Sequence, residues 1–267
     1  MNEIGFIGCG NMGGAIARAV CKTADPGRVF LADADTAKAN GLADELGCNS
    51  ATADHLFAGC ELIFLGVKPQ MMEQVLQQAK PLLAERTDRF VLVTMAAGLT
   101  IERIRQLADG AYPVIRIMPN TPVALGEGMI VYDSCGVTDP ELYEFCGLMQ
   151  AAGRLDPLSE HLIDAASAVH GCGPAYAYQF LEALADGGVA CGLPRAKAME
   201  YAAQMLLGAA KMVLETGKHP GELKDAVCSP GGSTIQGVRV LEQRGMRGAV
   251  IDAVIAACDK NKELGKN

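Results

Sequence analysis

The chain has no tryptophan, and aromatic residues make up only 5% of its 267 positions. Large flat rings therefore contribute little to its core. Aliphatic packing and close backbone approach must take their place, and 31 glycines and 12 methionines suit that task. No apolar run reaches the roughly 18 residues of a membrane-spanning helix, so no membrane partner is expected. Lysine and arginine (23) are outnumbered by aspartate and glutamate (31), with a net charge of −8 and no basic stripe. A nucleic-acid surface needs clustered cations to neutralise phosphates, so that class of partner is not expected either. The ten cysteines lack metal-ligand spacing, and a chain of this length needs no disulfide staples. No metal site is expected, and reduced thiols in a cytoplasmic protein are the simplest reading. The first strand is expected to start almost at Met1, which leaves no room for a signal peptide.

Two halves of different character make up the chain. Short apolar segments at Ile4–Ile7, Val29–Ala32, Leu62–Gly66, Phe90–Thr94 and Val114–Ile117 alternate with helical patterns. Such a sequence implies a parallel sheet covered on both faces. Met129–Tyr132 and Gly153–Leu155 are candidate edge strands, and Pro157 with Ser159 marks a break. From Glu160 onward the pattern is helical. A long helix is expected to about Cys191, loosened near Gly171 and Gly173, followed by helices over Pro194–Thr216, from Pro220, Ser233–Arg244 and Gly248–Leu264. Pro194–Thr216 is apolar around most of its circumference, which calls for more than one neighbour and suggests a subunit interface. The expected fold is α/β plus all-α, with a Rossmann-like, doubly wound, mostly parallel sheet over residues 1–157 and a helical substrate-binding and dimerisation domain over 158–267.

Gly8, Gly10 and Gly13 fit G-x-G-x-x-G between a strand and a helix. In a dinucleotide fold these glycines allow the tight turn, the approach of a pyrophosphate, and close packing of helix on strand. Ile7, Cys9, Asn11 and Met12 belong to the same turn. Asp33 ends the second strand, where a carboxylate accepts hydrogen bonds from adenosine ribose hydroxyls and favours NAD over NADP. Asp33 or Asp35 could equally begin the next helix as its cap. Val67-Lys68-Pro69, Ala96-Ala97-Gly98 and the stiff loop around Asn120 follow later strands. Ligands in such sheets bind beyond the carboxyl ends of strands.

In the helical half, SPGGSTIQGV (229–238) reads as a glycine turn opening a helix, with Ser233 and Thr234 at its mouth. Exposed N–H groups of Gly231, Gly232 and the two hydroxyl residues can hold an anion there. Glu160 suits a helix start as well as a ligand contact. Gly171-Cys172-Gly173-Pro174 reads as either a notch for a ring or a close helix crossing. His170 beside it reads as a packing or surface residue. Cys172 has neither a CxxC partner nor an evident base, so no reactive thiol is expected.

GFIGCGNMGGAI, VKPQ (67–70), MAAG (95–98), MPNTP (118–122), GCGPAY (171–176), ADGGVACGLPR (185–195) and SPGGSTIQGV occur in this order along the whole chain. Together they resemble the pyrroline-5-carboxylate reductases. The resemblance implies NADH- or NADPH-dependent reduction of a cyclic imino acid to L-proline. It also implies an intertwined homodimer that assembles further into a decamer. By position it puts Gly8 to Met12 on the pyrophosphate and Val67 to Pro69 on the nicotinamide side, with Ala96 and Ala97 in the same cleft. Glu160, Cys172, Ser233 and Thr234 fall at substrate positions. The chain departs from the family where Asp33-Ala34 replaces a small polar residue and an arginine, where Ala53 and Ala226 replace asparagines, and where Cys172 replaces serine.

Two other readings remain. A β-hydroxyacid dehydrogenase would need a catalytic lysine in a K-x-x-N pattern, and neither Lys197 nor Lys211 sits in one. A non-catalytic NAD(P) sensor would keep the first glycine turn without needing SPGGST or GCGPAY.

Overall fold

The computed structural model describes residues 3–264. Eight strands form one sheet: β1 (Ile4–Ile7), β2 (Val29–Ala32), β3 (Asn49–Ser50), β4 (Leu62–Leu65), β5 (Val91–Thr94), β6 (Val114–Met118), β7 (Gly128–Cys135) and β8 (Gly153–Pro157), in the order β3-β2-β1-β4-β5-β6-β7-β8. Every pair is parallel except β6 with β7. The chain winds outward from β1 through β2 to β3, then restarts at β4 on the other side of β1. That reversal puts a crevice at the carboxyl end of β1, where open α/β sheets take their ligands.

The β1, β4 and β5 strands are buried along their whole length, as expected of strands covered on both faces. Alternate residues feed two separate cores. Phe6 and Phe64 stack with ring centroids 4.4 Å apart on the face covered by α1 (Asn11–Val20) and α6 (Asp139–Met149). Ile7, Ile63 and Leu65 point the other way, into the core that also holds Leu56, Leu76 and Ile104 from α3 (Ala53–Gly59), α4 (Pro69–Glu85) and α5 (Ile101–Ala108). The remaining helix between strands is α2 (Thr36–Leu46).

Two compact units result. One runs to Gly171 and takes in the chain again from Ala257; the other is Cys172–Ala256. The dividing line thus falls beyond the expected 157/158 boundary. The reason is Arg116, which is 2% exposed on β6 and pairs with Glu160 and Asp164 of α7 (Glu160–Ala166). These ion pairs hold α7 to the sheet, and the π-helical turn after it (Ser167–Gly171) is tied there by His170, whose Nε2 lies 2.8 Å from Met118 O of β6 and whose carbonyl accepts from Asn120 Nδ2.

The second unit holds α8 (Gly173–Ala190), α9 (Arg195–Thr216), α10 (Pro220–Ala226), α11 (Ser233–Gln243) and most of α12 (Met246–Leu264). Helices α8 and α9 pack closely. A Cβ on Gly188 would lie 3.1 Å from that of Ala198, and Ala185, Ala198 and Ala202 are buried. Much of the rest is apolar yet uncovered. Tyr201, Met205, Leu207, Met212 and Leu214 on α9, and Val250, Ile251 and Ile255 on α12, are exposed large side chains. No helix among the described residues is long and apolar enough to cross a membrane, and no cluster of His, Cys, Asp or Glu there could hold a metal ion.

Sequence and structure differ locally. The two-residue strand β3 carries Asn49 and Ser50, so no hydrophobic pattern announces it; the Asn49 amide anchors it by donating to Gly27 O and Val29 O. The interruption expected near Gly171 and Gly173 takes the form of a π-helical turn over Ser167–Gly171, after which α8 starts at Gly173, with Pro174 in its first turn.

Candidate active site

Three glycines shape the turn between β1 and α1, each for a different reason. Gly8 has φ +98°, and a Cβ there would lie 2.7 Å from the carbonyl of Gly66. A Cβ on Gly13 would come 2.1 Å from Gly8 O, so helix and strand can approach only without it. Around Gly10 there is open space within 4 Å, where a ligand can come up to the backbone. Gly10 is also the N-cap of α1, and no side chain caps it. The first amides of α1 therefore remain available to an anion.

Asp33 closes the other side of this turn. Its carboxylate accepts from Cys9 N at 2.7 Å and from Asp35 N at 3.0 Å. Asp35, not Asp33, caps α2, accepting from Ala37 N and Lys38 N. Burial, and next the charge of Asp33, push the Cys9 thiol up to about 11. It stays neutral near pH 7 and adds no charge beside the free amides. Ile7, Gly8, Gly10, Asp33, Val67 and Lys68 line a cavity of about 540 Å³ that also reaches Ala34, Lys38, Ala53 and Asp54. An elongated ligand with a diphosphate at the glycine turn and a ribose near Asp33 fits these donors and acceptors.

Lys68 is the N-cap of α4 and Pro69 its first residue, so Val67–Pro69 form a strand-to-helix turn at the carboxyl end of β4. Ala96 is buried and Ala97 exposed in the turn after β5. Asn120 follows β6, but its amide is engaged with backbone: Oδ1 accepts from Met129 N at 2.9 Å and Nδ2 donates to His170 O at 3.0 Å. It fixes the loop from within. Both ring nitrogens of His170 lie within 2.8 Å of carbonyl oxygens, those of Ala166 and Met118. That matches a packing histidine better than a proton donor with a free nitrogen.

In the second unit, Gly231 has φ +69°, and a Cβ on Gly232 would sit 2.4 Å from Ser229 Oγ. Gly232 is the N-cap of α11 without a capping side chain, and Ser233 and Thr234 are exposed in its first turn. The Gly232 amide, expected as an anion donor, instead donates to Ser229 O at 3.0 Å and closes the turn. The amides of Gly231, Ser233 and Thr234 and the two hydroxyls lie open together, as an anion-binding turn requires. Cys172, half-buried, precedes α8 in the same unit. Glu160 belongs to the first unit. Its Oε1 accepts from Ile101 N at 2.7 Å and from Arg116 Nη1 at 3.1 Å, while its own N–H donates to Asp133 at 2.6 Å.

Comparison with known proteins shows the same pairing of parts. Residues 160–264 match the family model described as pyrroline-5-carboxylate reductase dimerisation, and residues 3–121 match that of the NADP oxidoreductase, coenzyme F420-dependent. The pyrroline-5-carboxylate reductase of Escherichia coli (strain K12) is 39% identical over 99% of both chains. That of Glycine max is also 39% identical, over 98% of this chain and 95% of its own. The chain belongs to the pyrroline-5-carboxylate reductase family. Among solved structures, the reductase of Coxiella burnetii superimposes with a TM-score of 0.90 at 30% identity, covering 100% of this chain and 99% of its own. The Plasmodium falciparum enzyme, solved with NADP bound, gives 0.88 at 31% identity over 98% of both. The fold is therefore that of this reductase family in both halves, and the chain is an oxidoreductase using NAD(P)H.

Two residues of this reductase escape motif reading. Arg116 stands alone in the apolar strand VIRIM, and Asp133 in the alternating β7. The signal for Arg116 was present, since a lone cation in a strand buried on both faces must have a partner.

Proposed function

We infer that this chain reduces the C=N bond of L-1-pyrroline-5-carboxylate to give L-proline, the last step of proline biosynthesis. Full-length similarity to named reductases carries this reading, together with the intact glycine turn at α1 and SPGGST turn at α11. When bound, NAD(P)H supplies the hydride that adds to the imine carbon, while the C=N electron pair passes to nitrogen. The protonated iminium is already a good acceptor, so the protein needs few acid–base groups. Its work is to hold and orient the ring.

In this reading the amides of Gly231, Ser233 and Thr234 hold the substrate carboxylate, Gly232 shaping the turn, and the Thr234 hydroxyl hydrogen-bonds the ring nitrogen. Cys172 and Glu160 are further substrate-side positions, Glu160 acting through what it holds in place. Ile7 to Met12 and Asp33 receive the diphosphate and ribose of the cofactor. Val67 to Pro69, Ala96 and Ala97 flank the nicotinamide, and Asn120 braces the loop beside them. The free thiols suit a cytoplasmic setting.

The uncovered apolar side chains of α9 and α12 form the homodimer interface, and dimers assemble further into a decamer. A Met205→Glu, Met212→Glu variant, placing two charges on the exposed face of α9, is expected to run as a monomer in size-exclusion chromatography with light scattering. An unchanged oligomer would move the interface elsewhere.

The reaction is tested by following NADH and NADPH oxidation with pyrroline-5-carboxylate and then with β-keto acids. Turnover of the cyclic imine alone is expected. Oxidation only with the keto acids would make the chain a dehydrogenase, and binding without oxidation a sensor.

A further inference from the structure

Asp33, Asp35 and Cys9 form a closed hydrogen-bonded unit at the carboxyl end of β2, and its chemistry bears on which cofactor the site accepts. The two dinucleotides differ only at the adenosine 2′ position, where one carries a hydroxyl and the other a phosphate. In a fold of this kind, that position lies beside the end of the second strand. There the Asp33 carboxylate cannot swing aside, because Cys9 N holds one of its oxygens at 2.7 Å and Asp35 N the other at 3.0 Å. Each oxygen keeps a lone pair that a ribose hydroxyl can use as donor. A phosphate has no proton to offer most of those lone pairs near pH 7 and brings a like charge.

The other place for a 2′-phosphate would be the start of α2. Two of its first N–H groups are already occupied, since Asp35 Oδ1 accepts from Ala37 N at 3.1 Å and Lys38 N at 3.4 Å. The helix start is thus neutralised by its own cap. No arginine lines the cavity among the described residues. Its charged lining is Asp33, Asp54, Lys38 and Lys68. Lys68 stands at the start of α4, on a different strand end. From α2, Lys38 is the one cation of the lining that could meet a phosphate, beside the neutral Thr36 hydroxyl, and it is exposed to solvent, where a single ion pair contributes little.

We propose that the Asp33–Asp35 pair makes this enzyme selective for NADH over NADPH. The proposal rests on the dinucleotide site described above and adds the choice between its two ligands. Equilibrium titration of the full-length protein with each reduced cofactor, read by the cofactor's own fluorescence, measures it without turnover. NADH is expected to bind about tenfold or more tightly than NADPH, and kcat/KM to follow. Asp33→Asn keeps an oxygen for Cys9 N while removing the charge, and should narrow the ratio to about threefold or less. Adding Ala34→Arg should reverse it. Equal or tighter NADPH binding by the unmodified chain overturns the selectivity alone. So does a ratio that Asp33→Asn leaves unmoved. Binding of neither cofactor overturns the site itself.

Discussion

Thr234→Ala should lower kcat/KM for the cyclic imine on the order of 100-fold, equivalent to about 2.7 kcal/mol of transition-state stabilisation. Thr234 is the second residue of α11, exposed, in a turn that no side chain caps. Alanine is the better helix former there, so the substitution should not loosen the helix that presents the site. The lost rate then reports a lost contact. Ser233→Ala removes the neighbouring hydroxyl while the amides proposed to hold the carboxylate remain, and a loss of about tenfold or less is expected. Steady-state kinetics with both cofactors, beside thermal melts of each variant, make the comparison. Near-normal turnover in Thr234→Ala with a collapse in Ser233→Ala would exchange the two roles. A raised KM at constant kcat in both would make the turn a binding device only.

The fold was readable where chemistry leaves a periodic trace. Five central strands show as apolar runs because a parallel sheet is buried on both faces, and they lie within a residue of where the sequence puts them. The glycine turn was readable because each glycine answers a separate steric demand. What could not be read has a common cause: it depends on partners distant in sequence. β3 exists because Phe30 and Leu31 lie beside it, and Asn49 and Ser50 carry no sign of that. Whether Asp33 or Asp35 caps α2 was undecidable from spacing alone. The structure gives the cap to Asp35 because Asp33 is held by Cys9, 24 positions away. Likewise, the break in composition after Pro157 is real, but compactness follows the ion pairs of Arg116 rather than composition.

Those ion pairs carry the other large effect. Glu160→Ala should destabilise the enzyme by about 3 kcal/mol or more, because it leaves a buried guanidinium short of one counter-charge. Arg116 keeps Asp164 at 3.0 Å, yet its Nε already lacks a partner among the described residues, so little local compensation is at hand. The change also frees Ile101 N, the first amide of α5, at an added cost of about 1 kcal/mol. Glu160 is itself about a quarter exposed, so water can enter and hold the total near the low end of the range for buried pairs. For a chain of this size the melting temperature should fall by roughly 6–12 °C. Glu160→Gln retains an acceptor for Ile101 N and should fall by less. The double variant with Arg116→Met removes the stranded cation, and it should recover a substantial part of the loss. This series separates the two roles open to Glu160. A brace through Arg116 predicts melting temperatures that track the ion pair, with Glu160→Gln close to the parent in KM. A direct substrate contact predicts a large rise in KM for Glu160→Gln and a melting temperature that scarcely moves.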